Sequence, residues 1–472
     1  MNPAADFSFY WHDYETFGRD PRRDRPAQFA GVRTDADLNE VGEPLLQYCA
    51  PAPDFLPDPE ACLLTGITPQ TCLARGVPEH AFAAAIEAEL ARPGTCGVGY
   101  NSIRFDDEVT RFLLWRNLAD PYAREWQNGC SRWDLLDVVR AAWALRPEGL
   151  HWPTNDDGRP SFRLEHLTAA NGLAHEAAHD ALSDVRATIA LARAVKTAQP
   201  RLWDFCLKLR DKHAVWAEIG QGRPFVHLSG MYPVERGCLA VVWPLAPHPV
   251  NRNELIVWDL AQDPQALASL TLDEARLRLF TRAADLPEGV TRLPIKTIHV
   301  NKSPVVFGNL KALGPAVQRW QIDLDQALRH AERAAALGGL MDGLWGELFQ
   351  RPADEAPRDV DEDLYGGFVG NGDRALLQRL RRLSPQALAG RTPAFDDPRL
   401  EELCFRYRAR NFPETLDAAA RERWAAHCGE RLQAAIGPWQ ERVDTLAETA
   451  DDDGQAILAS LMDYAEGISS FA

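Results

Sequence analysis

Asp13 and Glu15 stand two residues apart in Phe7-Ser8-Phe9-Tyr10-Trp11-His12-Asp13-Tyr14-Glu15-Thr16-Phe17. Up to Tyr10 this run is aromatic and uncharged, the pattern of a buried strand. In an extended chain, residues i and i+2 project to one face, so the two carboxylates would lie side by side. Burial and mutual repulsion both penalise that arrangement, and a cation between the acids removes the penalty. Alone, the same spacing suits a strand end fraying into solvent. Three further residues extend the pattern. Asp106 follows the apolar stretch at 97–101 after a short loop, and could meet Asp13 and Glu15 at one sheet edge. His179 and Asp184 flank a helix start in Ala178-His179-Asp180-Ala181-Leu182-Ser183-Asp184-Val185. Singly, Asp184 could be an exposed helix acid and His179 a cap. Together, the residues read as a binuclear Mg²⁺ or Mn²⁺ site, because hard cations take carboxylate ligands. Two ions about 4 Å apart can activate water and stabilise the leaving oxygen of a phosphodiester. A histidine, titrating near neutrality, suits the general base.

Such a cluster needs a sheet edge and helices to carry it. Residues 27–35 and 45–50 read as strands forming a meander with the first, through short connections containing Gly and Pro. Residues 79–91 are Ala-rich and periodic, hence helical. Residues 106–115 start a helix with acids in its first turn, where the helix dipole favours them. Residues 131–145 read as a helix capped by Ser131, and 180–196 as another. The alternation predicts an α/β layer domain ending near residue 200. Then the texture changes. Short β-rich runs at 225–228, 238–243, 254–258 and 295–300, interrupted by a helical stretch at 264–280, predict a small β-barrel or β-sandwich. After about residue 310 the pattern is helical, with an acidic, Pro-containing linker at 352–363.

A chain of 472 residues is too long for one core and predicts two to four domains. Hydrophobic residues at 46% and charged residues at 25% are ordinary for a soluble globular protein. No apolar run is long enough to span a bilayer, and the first residues lack the basic and apolar regions of a signal peptide. Nine cysteines without a C-x-x-C pair predict reduced thiols and a cytoplasmic setting. The net charge of -17 argues against indiscriminate nucleic-acid binding, though not against a local basic groove. Acids crowd 354–363 and 451–453, and arginines crowd 379–382 and 406–410.

The order D-x-E, then Asp, then H-x-x-x-x-D resembles the DEDDh exonucleases. Longer stretches are similar to bacterial exonuclease I, nearly end to end and most weakly between 310 and 356. They include His12-Asp13-Tyr14-Glu15-Thr16-Phe17-Gly18, Gly99-Tyr100-Asn101 and Arg104-Phe105-Asp106-Asp107-Glu108-Val109-Thr110-Arg111. Ser131-Arg132-Trp133-Asp134-Leu135-Leu136-Asp137-Val138, Pro160-Ser161-Phe162-Arg163-Leu164-Glu165-His166-Leu167 and Tyr407-Arg408-Ala409-Arg410-Asn411-Phe412-Pro413 belong to the same set.

The resemblance implies an α/β fold. An RNase H-like exonuclease domain with a central mixed sheet would occupy 1–200, an SH3-like β-barrel 201–352, and an α-helical C-terminal domain 353–472. It implies a processive 3′→5′ exonuclease of DNA repair and recombination, releasing nucleoside 5′-monophosphates from single-stranded DNA. Asp13, Glu15, Asp106 and Asp184 would hold two Mg²⁺ ions, with Mn²⁺ as a substitute, and His179 would deprotonate the water. Glu15, Arg111, Tyr122, Trp126, Arg140, Phe162 and Arg163 match positions near the strand, as do Asn301, Lys302, Tyr365 and Phe368. Arginine suits phosphate by its planar fork, and aromatics suit bases by stacking. Arg146 matches a position that binds the acidic tail of single-stranded DNA-binding protein. A monomer without membrane attachment is expected. Two other readings remain open on the residues alone: an exonuclease that trims RNA, and a DNA-end binding protein without catalysis.

Overall fold

The first strand is longer than its apolar pattern, and both acids lie inside it. In the computed structural model β1 spans Ser8–Thr16, and its burial, relieved only at Asp13, persists through Glu15. The structure describes residues 7–174, 180–338, 343–350, 358–391 and 393–469. His179 and linker residues 352–357 lie outside the described residues. The chain divides into two units. The first draws its described residues from Met1–Ser131, His175–Ile189 and Ala356–Ala472, and the second from Arg132–Ala174 and Ala190–Glu355.

In the first unit β1 pairs antiparallel with β2 (Pro26–Thr34), and β2 pairs antiparallel with β3 (Leu45–Tyr48), the predicted meander. On its other side β1 pairs in parallel with β4 (Thr95–Gly99), so the sheet is mixed. A Cβ on Gly99 would stand 2.6 Å from the Ser102 Cβ and 2.9 Å from the His12 carbonyl oxygen, so β4 can turn away beside β1 only through glycine. Asn101, at φ 63°, completes the turn into a 3₁₀ segment and the helix Asp106–Arg116.

One apolar cluster joins Tyr10, Tyr14 and Phe29 of the sheet to Phe82, Ile86 and Leu90 of the helix Glu79–Leu90, and to Val109 and Leu113. A second joins Phe17, Phe55 and Cys62 to Trp439 and Val443 of the helix Ala418–Ala447, and to Leu458 and Leu461 of the helix Asp452–Ser469. A third packs Phe112 and Trp115 against Leu364, Leu377, Leu400 and Leu403. The helices near the C-terminal end therefore share their cores with the sheet that carries Asp13.

The segment predicted as one helix from Ser131 is two elements. Ser131–Asp134 is strand β5, and the helix is Leu135–Leu145. Asp134, extended at φ -134° and ψ 125°, is the cap, its side chain accepting the Leu136 N–H at 2.9 Å. Ser131 has a capping side chain, but Arg132 and Trp133 are buried in extended conformation, and the helix can start only after them.

In the second unit lie β6 (Phe225–Leu228), β7 (Leu239–Pro247), β8 (Glu254–Asp259), β9 (Ile295–His299) and β10 (Val305–Phe307). They form one sheet in the order β10-β6-β7-β8-β9, every neighbouring pair antiparallel. Four of these strands are predicted. β10 has only three residues, too few for a sequence period to register. Val215 and Ile219 of the helix Lys212–Ile219 pack on Phe225, Val242, Val257, Ile298 and Val306. The predicted helical stretch at 264–280 divides into a 3₁₀ segment, Pro264–Ser269, and the helix Leu272–Phe280, which starts at a capping box of Thr271 and Glu274. No described helix is long and apolar enough to cross a membrane.

Candidate active site

The parallel register of β1 with β4 ends at Trp11 opposite Val98, while the register with β2 continues through Asp13 opposite Ala30 and Glu15 opposite Gln28. Asp13, Tyr14 and Glu15 thus run past the end of β4. A backbone N–H facing that side has lost its ladder partner and needs another. Tyr14 donates its N–H to Asp106 Oδ1 at 3.2 Å. The Tyr14 and Thr110 hydroxyls are 2.9 Å apart, and Thr110 Oγ1 donates to the Asp106 carbonyl at 2.8 Å. β1 therefore holds the start of the helix Asp106–Arg116 through both the backbone N–H and the hydroxyl of Tyr14. On the other flank the Ala181 N–H donates to Gln28 Oε1 at 3.4 Å, docking the helix Ala181–Ala198 with Asp184 in its first turn.

The outcome is convergence. Asp13, Glu15 and Asp184 offer ligand oxygens that all lie within 4.8 Å of one another. Asp106 stands beside this trio, and Asp13 is the strongest charge acting on it. Three of the five predicted residues thus meet in one group, Asp106 interacts with Asp13 from beside it, and the fifth, His179, is outside the described residues.

These acids are held against their preference. Burial first, then the charges of Asp13, Asp184 and Asp180, push Glu15 up to about 9. Burial and then Asp184 raise Asp13, against a lowering by the Tyr14 N–H. Burial and then Asp13 raise Asp106. Among the described residues, the charges that raise Glu15 are those of acids. Carboxylate oxygens brought this close together at a partly buried site fit a hard divalent cation, which is the chemistry of the predicted site.

The predicted strand contacts fall in both units. In the first, Arg111 is 6% exposed and its guanidinium is shared. It donates from Nε to Glu125 Oε1 at 2.7 Å, from Nη2 to Glu125 Oε2 at 2.9 Å, and from Nη1 to Glu108 Oε1 at 2.7 Å and the Tyr365 hydroxyl at 3.1 Å. Its Cζ lies 5.3 Å from the Tyr122 ring centroid. One arginine therefore ties together two predicted aromatic contacts, Tyr122 and Tyr365. Trp126 and Phe368 are exposed, and Phe368 rims a cavity of about 200 Å³ lined by Trp115, Leu118, Tyr122 and Leu377. Sequence reasoning missed Glu108 and Glu125 as partners of Arg111, although Glu108 stands at the i,i+3 spacing that brings side chains together on a helix.

In the second unit Arg140 pairs with Asp137 at 2.7 Å and lies 5.7 Å from the Phe162 ring, which meets Trp143 edge-on. Arg163 is extended into solvent, 3.8 Å from Glu165. Asn301 and Lys302 form the turn after β9, where the Asn301 carbonyl accepts from Arg132 at 3.3 Å. Arg146 is half-buried and donates to the carbonyls of Leu145 and Ala312, the latter at 3.1 Å.

Comparison with known proteins agrees with this arrangement along the whole chain. Residues 10–192 match the Exonuclease family, 210–351 the Exonuclease I SH3-like domain, and 358–468 the Exonuclease I C-terminal domain. The chain is 47% identical to exodeoxyribonuclease I of Escherichia coli K12 over 470 residues, 98% of each protein. It is 43% identical to exodeoxyribonuclease I of Haemophilus influenzae, over 98% of this chain and 99% of the relative. Among solved structures, exonuclease I from Methylocaldum szegediense superposes with a TM-score of 0.93 at 49% identity, over 98% of this chain and 100% of that one. The E. coli enzyme in complex with a dA16 oligonucleotide gives 0.91 at 46% identity, over 98% and 100%. Its zinc-bound single-stranded DNA complex gives 0.93 at 44%, over 98% and 99%. With this identity across nearly its full length, and with the acids converging at the end of β4, the chain belongs to the exonuclease I family.

Proposed function

We propose that the protein is a metal-dependent 3′→5′ exodeoxyribonuclease that degrades single-stranded DNA processively to nucleoside 5′-monophosphates, in DNA repair and recombination. The observation that carries this reading is the meeting of the Asp13, Glu15 and Asp184 carboxylates, whose oxygens lie within 4.8 Å of one another. Relatives with this architecture form complexes with single-stranded oligonucleotides, one of them with zinc. Asp13, Glu15, Asp106 and Asp184 would hold the metal, two Mg²⁺ ions with Mn²⁺ as a substitute. When bound, the ions lower the pKa of water and offset charge on the phosphodiester.

The chain's own residues do the rest. His179 takes the proton of the attacking water on its imidazole. Glu15 meets the terminal nucleotide. Arg163, and Arg140 against Phe162, meet phosphates, while Tyr122, Trp126, Tyr365 and Phe368 offer faces for bases. Asn301 and Lys302 add polar contacts. The functional division is an exonuclease domain at 1–200, an SH3-like domain at 201–352 and a helical domain at 353–472. Arg146 serves the acidic tail of single-stranded DNA-binding protein, and the enzyme works as a cytoplasmic monomer.

The test is digestion of a 5′-end-labelled single strand with Mg²⁺, without it, and after chelation, beside an RNA strand of the same sequence. Stepwise shortening of the DNA from its 3′ end, only with metal, is expected. Shortening that persists after chelation, or a preference for the RNA, would overturn the reading.

A further inference from the structure

Two aspartates open the helix Asp106–Arg116, and only the first faces the acid cluster. Successive residues on a helix point about 100° apart, so a roll of that size would exchange Asp106 for Asp107 at the site, and a fraction of it would already turn the Asp106 carboxylate away from Asp13. The helix start does not settle this itself, because its N-cap, Phe105, makes no side-chain capping bond. Tyr14 and Thr110 hold one side of the first turn. The other side is held by an ion pair. Arg124 Nη2 donates to Asp107 Oδ1 at 2.7 Å, with the two residues 3% and 1% exposed. Arg124 sits in the 3₁₀ segment Ala123–Glu125 and is backed by the sheet, since a Cβ added at Gly97 of β4 would lie 3.6 Å from its Nη1.

We propose that Asp107 and Arg124 are positioning residues for the metal site. Arg124 holds Asp107 away from the cluster, fixes the roll of the helix and keeps the Asp106 carboxylate aimed at Asp13. The inference rests on the metal-site reading given above. A buried ion pair is a poor source of stability, since desolvation offsets most of the attraction. Setting an orientation is the use that this pair's position favours. Partners that orient a metal ligand typically change metal affinity by ~10–100-fold when removed.

The experiment compares wild type with D107N, R124M, R124K, the double variant D107N/R124M, and D106N. For each, Mn²⁺ is titrated against initial rate on a single strand, and the metal-induced rise in Tm is measured on DNA-free protein. D107N and R124M should each raise the half-saturating Mn²⁺ by ~10–100-fold and shrink the Tm rise at fixed metal. The KM for DNA and the rate at saturating metal should stay near wild type, a split that general loosening of the fold would not produce. R124K should recover most of the affinity by keeping the charge, and the double variant should cost no more than either single one. If either single variant does not fold, because R124M strands a buried carboxylate and D107N a buried guanidinium, the double variant carries the test with neither charge of the pair left over. Unchanged Mn²⁺ half-saturation in the double variant would overturn the proposal. D106N is the separate control: full activity and an undiminished Tm rise in it would overturn the metal-site reading itself.

Discussion

Two groups of buried acids in the first unit meet opposite electrostatic fates. Asp13, Glu15 and Asp106 are raised, burial acting with neighbouring anions. Asp54 and Asp361 lie deeper still, 2% and 0% exposed, yet are held well below the usual carboxylate range. There burial opposes ionisation, but Arg410 and then Arg25 outweigh it. Arg410 Nη2 donates to Asp54 Oδ2 at 2.8 Å, its Nη1 reaches Asp361 Oδ1 at 3.0 Å, and Arg25 lies 3.5 Å from both acids. Arg406 adds Asp359 at 2.7 Å and Asp361 at 3.1 Å. The second group is internally neutralised and joins the segment after the linker to the loop beyond β3. The first group leaves a demand that a metal ion can meet. Burial of an acid is therefore no sign of function by itself; what surrounds it decides.

The largest effect should come from breaking the first group. Asp13→Ala should remove more activity than the ~10²–10⁴-fold that loss of a general base costs. The metal-free protein should be no less stable, because a like charge has gone. Rate and Tm measured together test this, and a variant that kept wild-type turnover in Mg²⁺ would end the assignment.

The second group should behave in the reverse way. Asp361→Ala takes a shared buried carboxylate from Arg410 and Arg406, leaving Arg410 only Asp54 to share with Arg25, and removing one partner from a buried set costs up to about 3–5 kcal/mol. Chemical denaturation should show this loss, with turnover per folded molecule closer to wild type. A stability change under about 1 kcal/mol would mean the pairs are idle.

The pH dependence of stability separates the groups without mutation. Glu15 is raised from 4.5 to about 9 on folding. The folded state then keeps a proton that the unfolded state has lost, so stability falls as pH rises toward 9. Asp54 and Asp361 have the opposite sign, and their contribution is already complete above the ordinary carboxylate range. His12, lowered by burial and then by Arg124 to about 4, is neutral in both states above pH 7. Between pH 7 and 9 the metal-free protein should lose about 2 kcal/mol through Glu15, and a divalent ion should flatten that slope. A flat profile without metal would place Glu15 in a better-compensated setting.

The smallest expected effect contrasts both buried groups with an exposed charge. The Arg163 side chain is 73% exposed, beside Glu165. Arg163→Ala should leave Tm unchanged and lower the slope of log K against log salt for single-strand binding by about 0.7, one phosphate contact. An unaltered slope would remove Arg163 from the phosphate contacts.

Much of the site was legible in the chain because its signals are local. The i,i+2 spacing of Asp13 and Glu15 needs only an extended backbone to bring the acids to one face, and β1 supplies it. The acids at 106–108 announced a helix start, and the helix begins at Asp106. Ser131 misled because a capping side chain is also a local signal, whereas the extended conformation of Arg132 and Trp133 answers to burial. Along the sequence the arginines at 406–410 and the acids near 359–361 form separate charge runs. Arg406 and Arg410 instead neutralise Asp359, Asp361 and Asp54, across separations that no sequence window spans.

The sequence by itself determined which groups can ionise, which faces they share along one strand or helix, and which family the motifs resemble. Those properties follow from side-chain chemistry and from the periods of 2 and 3.6 residues. Only the tertiary structure decided which acids meet a cation and which meet one another. That outcome depends on where β4 ends beside β1, which side of the first helical turn Arg124 holds, and which helices near the C-terminal end close over Asp54. Coulomb energies depend on distance through space and on burial, and neither is a property of neighbours along the chain.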